Sequence, residues 1–442
     1  MSLSVFLREH KNKEKASFHM PGHKGRRIFD DYGMASEIDG LVDGDITEIP
    51  GADNLFVHDG VIRSIMDKYK KLYGSSETFL SVGGSSAGII ASILATVKAG
   101  DEVVIPRNCH RSVFHGITLA NAKPVIAYPE IYKDYHVYGR MLPETIADVI
   151  KEGSVVLITS PNYYGICSNV SEIAKVVHAK GGMFIVDQAH GAHLKFMNPE
   201  LSADLSAKPS SELPEQLSEA GAGYVDTAAS QDEAFLQESP DIVIESTHKT
   251  MATFTQTAIV NIYNKKLVGS VEEKLRMIES TSPSYILLES MELNARLIEE
   301  FGDEIFAKWK DDLDYFYEEA KGIEGLRVMD PPYKDRTKIV IDASSIGVAA
   351  KALEEELLKR GIYGEFTSGN LYLGMSGIGN VRSDYELLIN AIKDIKNNAE
   401  QIMRAYTGDN PEEDNIISDR YGAQIVNKDN SPLPAPGEVL EL

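Results

Sequence analysis

Short apolar, β-branched runs alternate with segments of helical period from Glu77 to about Tyr263, and this alternation restricts the fold more than any other feature. The runs have the length of buried strands, and the segments between them are long enough for crossover helices. We therefore predict an α/β fold with a mostly parallel central sheet. The predicted strands are Val103–Pro106, Pro124–Ala127, Val155–Ser160, Met183–Asp187, Asp241–Glu245 and Ala258–Tyr263. A helix over Ala87–Lys98 follows a Gly/Ser cluster.

A second, smaller unit follows in the sequence. With 442 residues, 43% of them hydrophobic, the chain can build a major domain and a minor one. An amphipathic stretch from Ser284 through about Ala320 predicts a connecting helix. After it we predict a small C-terminal α/β domain, with strand Lys338–Ala343, helix Val348–Arg360, strand Asn370–Met375 and helix Asp384–Asn397.

The predicted organisation has four parts. We expect an N-terminal arm and intersubunit segment over 1–69, a large cofactor-binding domain over 70–320, the small domain over 321–400 and an irregular tail over 401–442. Within the large domain, residues of about 198–240 are acidic and poor in large apolar side chains. This stretch predicts an inserted loop or lid.

Charge and cysteine content exclude several functions. The net charge of −23 would repel nucleic acid and anionic membranes, whereas it suits a small cationic substrate or serves solubility alone. The two cysteines, Cys109 and Cys167, are too few for a disulfide framework or a metal cluster, and they indicate a reducing compartment. The apolar run Val5–Leu7 is too short for a signal peptide. We expect a cytoplasmic protein that binds neither nucleic acid nor membrane.

Lys249 is the candidate for covalent chemistry. It lies in Ser246-Thr247-His248-Lys249-Thr250, directly after the predicted strand Asp241–Glu245. A lysine at the end of a buried strand is costly unless its pKa falls or it is bound covalently, and a Schiff base with the aldehyde of pyridoxal 5′-phosphate (PLP) achieves both. The ordinary alternative is an exposed loop lysine. The position of Lys249 therefore predicts a PLP lysine only together with other parts of such a site.

Those other parts occur at the positions where a PLP site needs them. Asp187 ends a predicted central strand, where its carboxylate can pair with the pyridine nitrogen and keep the ring an effective electron sink. His190, three residues later, can reach the ring hydroxyl, or it is an ordinary core histidine. His110 follows another strand and could stack on the ring.

A turn of small residues precedes the predicted helix Ala87–Lys98. Gly84, Ser85 and Ser86 offer backbone N–H groups, two hydroxyls and a helix N-terminus, a combination that holds a phosphate. The turn matches neither the dinucleotide-binding pattern nor the P-loop pattern, which argues against those nucleotides. By itself, a Gly/Ser turn is more often only a turn.

Taken together, these motifs resemble the prokaryotic ornithine/lysine/arginine decarboxylase family of fold-type-I PLP enzymes, and in particular its compact, arginine-decarboxylase-like branch. The resemblance covers about residues 18 to 300. In chain order, the matching segments begin with Phe18-His19-Met20-Pro21-Gly22-His23-Lys24-Gly25, Asp45-Ile46-Thr47-Glu48-Ile49-Pro50-Gly51, Gly84-Ser85-Ser86 and Arg107-Asn108-Cys109-His110. They continue with Asp187, Ala189-His190-Gly191, Ser246-x-His248-Lys249 and Ser280-Thr281-Ser282-Pro283-Ser284-Tyr285.

The resemblance implies a role for each candidate residue. Lys249 would be the Schiff-base lysine, Asp187 would pair with the pyridinium and His110 would stack on the ring. Phosphate would be bound by Ser85, Ser86, Ser246 and His248. Ser282 would reach the cofactor of a neighbouring subunit, which implies a homodimer or a dimer-based oligomer with shared sites. The proton donor to the substrate Cα would be Lys249 or His110, with Lys249 preferred.

The implied function is decarboxylation of a basic amino acid, arginine first and then lysine or ornithine, to the corresponding amine and CO₂. Glu48, Asp53 and Glu365 are candidates for recognising the distal cation of the substrate, although acidic loop residues are usually solvated. Two alternatives stay open. One is another fold-type-I PLP enzyme, such as an aminotransferase, aldolase or lyase, and the other is a regulatory relative without catalysis.

Overall fold

The structure is a computed structural model that describes residues 10, 13, 15–41, 45–203 and 237–406. Apart from its two ends, the predicted acidic insertion lies outside the described residues, as does the predicted tail beyond Tyr406. In chain order the strands are β1 (Ala16–Ser17), β2 (Glu77–Ser81), β3 (Glu102–Pro106), β4 (Lys123–Ala127), β5 (Ile131–Tyr132), β6 (Val137–Tyr138), β7 (Val155–Thr159), β8 (Met183–Asp187), β9 (Ile242–Glu245), β10 (Ala258–Ile262), β11 (Arg327–Val328), β12 (Lys338–Asp342), β13 (Ile362–Tyr363), β14 (Phe366–Ser368) and β15 (Leu371–Met375).

The described α-helices flank these strands. They are α1 (Arg27–Asp31), α2 (Ala35–Asp39), α3 (Val61–Tyr73), α4 (Gly84–Thr96), α5 (Arg111–Ala120), α6 (Pro143–Val149), α7 (Val170–His178), α8 (Leu194–Met197), α9 (Thr247–Thr250), α10 (Val268–Ile278), α11 (Tyr285–Lys321), α12 (Ala350–Lys359), α13 (Arg382–Asn397) and α14 (Ala399–Tyr406). Short 3₁₀ turns occur at Pro199–Leu201, Lys265–Leu267 and Ala343–Ile346. Within the described residues, no helix is both long and apolar enough to cross a membrane.

The large sheet has the spatial order β2-β10-β9-β8-β7-β3-β4. Its strands pair in parallel from β9 to β4, whereas β10 is antiparallel to both of its neighbours. The predicted mostly parallel sheet is thus confirmed, and each predicted strand is present with ends within one residue of its predicted bounds. The sequence interpretation did not assign β2, which forms the edge of the sheet beyond β10.

Both faces of this sheet are covered by helices. Successive side chains of a strand point to opposite faces, so Ile185 of β8 packs in the core under α4 and α5. Val186, the next residue, packs in the core formed with α6 and α7. Burial on both faces explains why the strands read as continuous apolar runs.

A four-stranded antiparallel sheet, ordered β11-β12-β15-β14, forms the core of the C-terminal part. The elements predicted there are present, with bounds shifted by at most two residues. The predicted connecting helix is α11, and its buried Trp309 and Phe316 pack in one core with Tyr385 of α13. Because α11 contributes to the cores of both sheets, we keep a domain boundary near residue 320 as a proposal.

Two segments differ from the sequence interpretation. Residues Ala399–Tyr406 are helical, so the predicted irregular tail from residue 401 is wrong for this stretch, where helix-favouring residues Glu400 to Arg404 extend the pattern of α13. The N-terminal arm also has regular structure, because β1 pairs in parallel with β13 in the same chain. Gly22 then packs so close to the backbone of Thr250 that a Cβ atom would come within 2.4 Å of it, which only glycine allows.

Candidate active site

A cavity of about 700 Å³ opens at the carboxyl ends of the parallel strands. Loops that follow β3, β7, β8 and β9 form most of its wall, which is where ligands bind in open α/β sheets. The wall residues include Met20, Gly84, Ser85, Ser86, His110, Tyr138, Thr159, Asn162, Tyr163, Asp187, His190, Ser246, His248 and Lys249. Most of the predicted cofactor residues therefore share one cavity.

Lys249 lies in the short helix α9, immediately after the central strand β9. Its Nζ atom is 2.9 Å from Nε2 of His190. Burial lowers the pKa of Lys249 to about 8, and the nearby carboxylates of Asp187 and Glu365 oppose this shift. At neutral pH, a larger fraction of this amine is uncharged than in an ordinary lysine, and the uncharged amine is the nucleophile that attacks an aldehyde.

Asp187 and His190 flank the lysine. Burial raises the pKa of Asp187, although the charges of Lys249 and His110 counteract the effect. Oδ1 of Asp187 accepts the backbone N–H of Ala189 at 3.1 Å, which fixes the carboxylate at the end of β8. Burial, together with the charges of Lys249 and Lys338, lowers the pKa of His190 well below its usual range. His190 is therefore neutral at neutral pH, and its Nε2 can accept a hydrogen bond from the Lys249 amine.

The predicted phosphate turn lies at the start of α4. The helix begins at Gly84, three residues before its predicted start at Ala87. Glycine and serine have low helix propensity, so the sequence pattern does not indicate this first turn. Gly84 has a φ of 77°, in the left-handed region that favours glycine. Ser85 and Ser86 therefore lie in the first helical turn, whose N–H groups lack partners inside the helix. The hydroxyl of Ser246 donates to that of Ser85 at 2.8 Å, which joins α4 to the lysine segment.

His248 lies beside this turn. Its Nδ1 atom donates to the carbonyl of Thr257 at 2.8 Å, and burial lowers the pKa of His248 to about 4. In the neutral ring, Nε2 then carries no proton, so His248 can donate to a phosphate only after a bound anion has stabilised its protonated form. Its predicted contact with phosphate stays a prediction.

His110 is the N-cap residue of α5. Its Nδ1 accepts from the backbone N–H of Ser112 at 3.3 Å and lies 2.8 Å from the hydroxyl of the same residue. These two bonds hold the imidazole at the cavity wall, at the carboxyl end of β3. The position is compatible with the predicted stacking on a cofactor ring.

Four predicted site residues do not line the described cavity: Glu48, Asp53, Ser282 and Glu365, whose carboxylate contacts the wall residues Met20 and Tyr163. Glu48 and Asp53 belong to the loop before α3, and Ser282 is exposed in the segment before α11. The carboxylate of Asp53 accepts the backbone N–H groups of Asn54, Asp59, Gly60, Ile62 and Arg63. Both oxygens of Asp53 are occupied in folding this loop and capping α3, and its predicted contact with the substrate stays a prediction. The predicted contact of Ser282 with a neighbouring subunit stays a prediction.

The structural role of Asp53 can be measured. Asp53→Asn keeps a residue type that tolerates the φ of 68° at this position, but it replaces an acceptor oxygen by an amide that faces backbone donors. We expect the free energy of unfolding to fall by about 2 kcal/mol, measured by urea denaturation. The matched control is Asp59→Asn in the same loop, at an exposed position, which should change the stability by less than about 0.5 kcal/mol. Equal stability of the two variants would contradict the capping role.

Sequence reasoning missed several wall residues. Tyr163 packs against His190, with ring centroids 4.7 Å apart, and its hydroxyl donates to Oε1 of Glu365 at 3.1 Å. Oε2 of Glu365 accepts the backbone N–H of Met20 at 3.1 Å, so the small sheet and the N-terminal arm meet at this carboxylate. A signal was available for Tyr163, because Asn162 and Tyr163 follow the carboxyl end of β7. Met20 carried no such signal.

The residues present fit PLP. Three buried polar atoms of the cavity wall lack a hydrogen-bond partner within the described part of the chain: Oγ1 of Thr159, the hydroxyl of Tyr138 and Nδ1 of His190. Buried polar atoms are normally paired, so such orphans indicate a polar ligand. The wall offers an amine for the aldehyde, a carboxylate for the ring nitrogen and a helix N-terminus with hydroxyls for the phosphate.

Comparisons with known proteins indicate the family to which this chain is similar. The profile described as "Orn/Lys/Arg decarboxylase, major domain" matches residues 2–216 and 223–338. An uncharacterised protein of Bacillus subtilis is 28% identical over 446 residues, covering 98% of this chain and 82% of that protein. An arginine decarboxylase of the same organism is 25% identical over 414 residues, covering 91% of this chain and 75% of the relative.

A solved structure shows the same fold. Lysine decarboxylase A from Pseudomonas aeruginosa superimposes with a TM-score of 0.67 at 19% sequence identity, over 90% of this chain. This chain spans 60% of that protein's length. The predicted fold-type-I architecture is thereby confirmed.

Proposed function

This chain belongs to the ornithine/lysine/arginine decarboxylase family of PLP-dependent enzymes, and from that premise we propose that it decarboxylates a basic amino acid, with arginine as the preferred substrate. The observation that carries the proposal is the contact between Lys249 and His190 in a cavity that also contains Asp187 and the phosphate turn. Several similar curated proteins are arginine decarboxylases, which supports arginine before lysine and ornithine. Family membership favours decarboxylation over the aminotransferase, aldolase, lyase and regulatory alternatives.

The residues of the cavity divide the work of such a reaction. Bound PLP would supply the electron sink that accepts the electrons of the bond to CO₂. Asp187 would hold a proton on the ring nitrogen, and the first turn of α4, with Ser85, would hold the phosphate. His190 can orient Lys249 by accepting a hydrogen bond from its Nζ, because their nitrogens are 2.9 Å apart. Lys249 would then deliver a proton to the substrate Cα, a step for which His110 is the other candidate.

A substrate panel tests the proposal. The purified protein, supplied with PLP, is incubated separately with arginine, lysine and ornithine, and the product amine and CO₂ are measured. We expect agmatine to form with the highest kcat/KM, ahead of cadaverine and putrescine. Faster formation of cadaverine or putrescine would overturn the choice of arginine, and keto-acid formation without CO₂ would overturn decarboxylation itself.

Glu365 is the residue that we propose for recognising the distal cation. Of the three predicted acidic residues, Glu365 is the one that contacts residues of the cavity wall, namely Met20 and Tyr163. Its negative charge also acts on Lys249. Each oxygen of the partly buried Glu365 carboxylate accepts one hydrogen bond, from Met20 or Tyr163, so a second lone pair on each oxygen would be available to a guanidinium. The negative charge of Glu365 thus comes from the residue before β14 of the small sheet, whereas Lys249 follows β9 of the large sheet.

Glu365→Gln tests this role. The variant keeps the size and hydrogen-bonding capacity of the side chain but removes its charge, so we expect the KM for arginine to rise about tenfold, equivalent to about 1.4 kcal/mol. The KM for citrulline, a neutral isostere of arginine, should change much less. Glu355→Gln on the exposed face of α12 is the control. An unchanged ratio of the arginine and citrulline KM values would contradict the assignment.

We also propose a homodimer or dimer-based oligomer with shared active sites. Ser282 lies outside its own cavity, and Ile49, Val57, Val61 and Met277 are large hydrophobic residues exposed on the single chain. A cytoplasmic location remains a prediction from the sequence. The free, buried thiols of Cys109 and Cys167 are in keeping with the reducing compartment expected there.

A further inference from the structure

A buried ionic network lies at the start of β12, next to the turn that contains His190. Lys338 is 0% exposed, and its Nζ donates to Oδ2 of Asp335 at 3.0 Å and to Oγ1 of Thr337 at 3.1 Å. Nε2 of His193 lies 3.1 Å from Oδ1 of Asp335. Each of these side chains is almost completely excluded from solvent.

Burying such a network has a cost. Removing paired charges from water is expensive, and well-packed apolar residues of similar volume often replace them without loss of stability. Packing alone therefore does not account for a fully buried lysine at this position. A specific use of the Lys338 ammonium explains its presence better.

One hydrogen bond connects the network to the active site. The third donor bond of Lys338 goes to the backbone carbonyl of His190, at 3.1 Å. The side chain of the same histidine contacts Nζ of Lys249 at 2.9 Å. Lys338 lies in β12 of the small sheet and binds the turn after β8 of the large sheet. In that turn, the ring of His190 lies against the candidate catalytic lysine.

The charge of Lys338 also acts on both groups. The groups that face Lys249 are Asp187 at the end of β8, His190 after it, His110 at the start of α5, His248 in its own helix, Glu365 before β14 and Lys338 of β12. The carboxylates favour a proton on Lys249, whereas the positive charge of Lys338 disfavours it. Lys334, equally buried on the neighbouring turn, is not among these groups.

We propose that Lys338, anchored by Asp335, is a positioning residue that fixes His190 against Lys249 and lowers the proton affinity of the Lys249 nitrogen. The inference rests on the proposed function, because it requires Lys249 to bind PLP. In this arrangement, β12 of the small sheet contributes to the protonation state of the amine through Lys338.

The test is a pH titration of the visible absorbance band of the PLP-loaded protein, which reports the protonation of the nitrogen shared by Lys249 and the cofactor. In Lys338→Met we expect the midpoint to move upward by about one pH unit, because a nearby positive charge has been removed. The control is Lys334→Met. Nζ of Lys334 donates to the hydroxyl of Tyr317 at 3.3 Å and to backbone carbonyls, so its loss disturbs the same core without touching His190.

The outcomes separate the two proposals. If the titration midpoint of Lys338→Met equals that of Lys334→Met, the proposed role of Lys338 is overturned, even if both variants lose stability. If Lys338→Met fails to fold, Lys338→Gln carries the same expectation, because it removes the charge while keeping a donor for the His190 carbonyl. A wild-type protein without a visible band in the presence of PLP would instead refute the proposed function.

Discussion

Replacing Lys249 by alanine is expected to reduce amine and CO₂ formation by about 10⁴-fold or more, and to abolish the visible absorbance band of the PLP-loaded protein. The variant loses the nucleophile that would bind the cofactor and, in the same atom, the preferred proton donor to Cα. Positioned proton transfer alone contributes about 10²- to 10⁴-fold. The phosphate turn stays intact, so PLP should still bind, but without a covalent bond.

The measurements are product amine by chromatography, the absorbance spectrum, and PLP retained after borohydride reduction. Lys266→Ala, at an exposed lysine of the same sheet region, is the control and should retain wild-type activity and spectrum. Residual turnover of Lys249→Ala within tenfold of wild type would show that another group binds the cofactor. His248→Ala would not substitute for this test, since His248 carries no amine.

Asp187→Asn is expected to lower kcat by about 10²- to 10³-fold. Asparagine has nearly the same shape as aspartate, but it cannot hold a proton on the ring nitrogen, and loss of one partner of a buried charged pair costs about 3–5 kcal/mol. Since each 1.36 kcal/mol in a barrier corresponds to a factor of ten, a loss of this order in the rate follows. Asp187→Glu should restore only a small part of the rate, because the longer side chain displaces the carboxylate.

The matched control is Asp241→Asn, at the amino end of the neighbouring central strand β9. Asp241 is also buried, but its carboxylate holds the backbone N–H of Phe184 and the side chain of Asn264, both at 2.7 Å. We expect this variant to lose stability while keeping kcat within about threefold of wild type. If both variants lowered kcat equally, the effect of Asp187 would be structural and its pairing with the cofactor would be refuted.

The parts of this protein that were predictable from sequence are those that depend on local patterns. Strands buried on both faces are continuous apolar runs, so β7, β8 and β9 could be located to within a residue. The rule that ligands bind at the carboxyl ends of such strands then placed Asp187 and Lys249 at one site. The same rule, applied to β7, could also have found Tyr163.

What could not be predicted depends on contacts between distant segments. Lys338 reads as the first residue of a strand, and nothing local shows that its ammonium reaches the carbonyl of His190. Asp53 reads as one more acidic loop residue, although the backbone of the next ten residues folds around its carboxylate. The helix Ala399–Tyr406 lies beyond the predicted end of the helix Asp384–Asn397 and extends into the predicted irregular tail.

The pairing of β1 with β13 has a consequence for the order in which the protein is made. Residues Ala16 and Ser17 are synthesised long before their partners Ile362 and Tyr363. The bond from Met20 to Glu365 spans 345 positions in the sequence. A growing chain can therefore assemble the parallel sheet and the candidate Schiff-base lysine well before Glu365 is present to hold Met20 at the cavity wall. Cofactor bound to a nascent chain would meet an open site, and closure would wait until Glu365 had been synthesised.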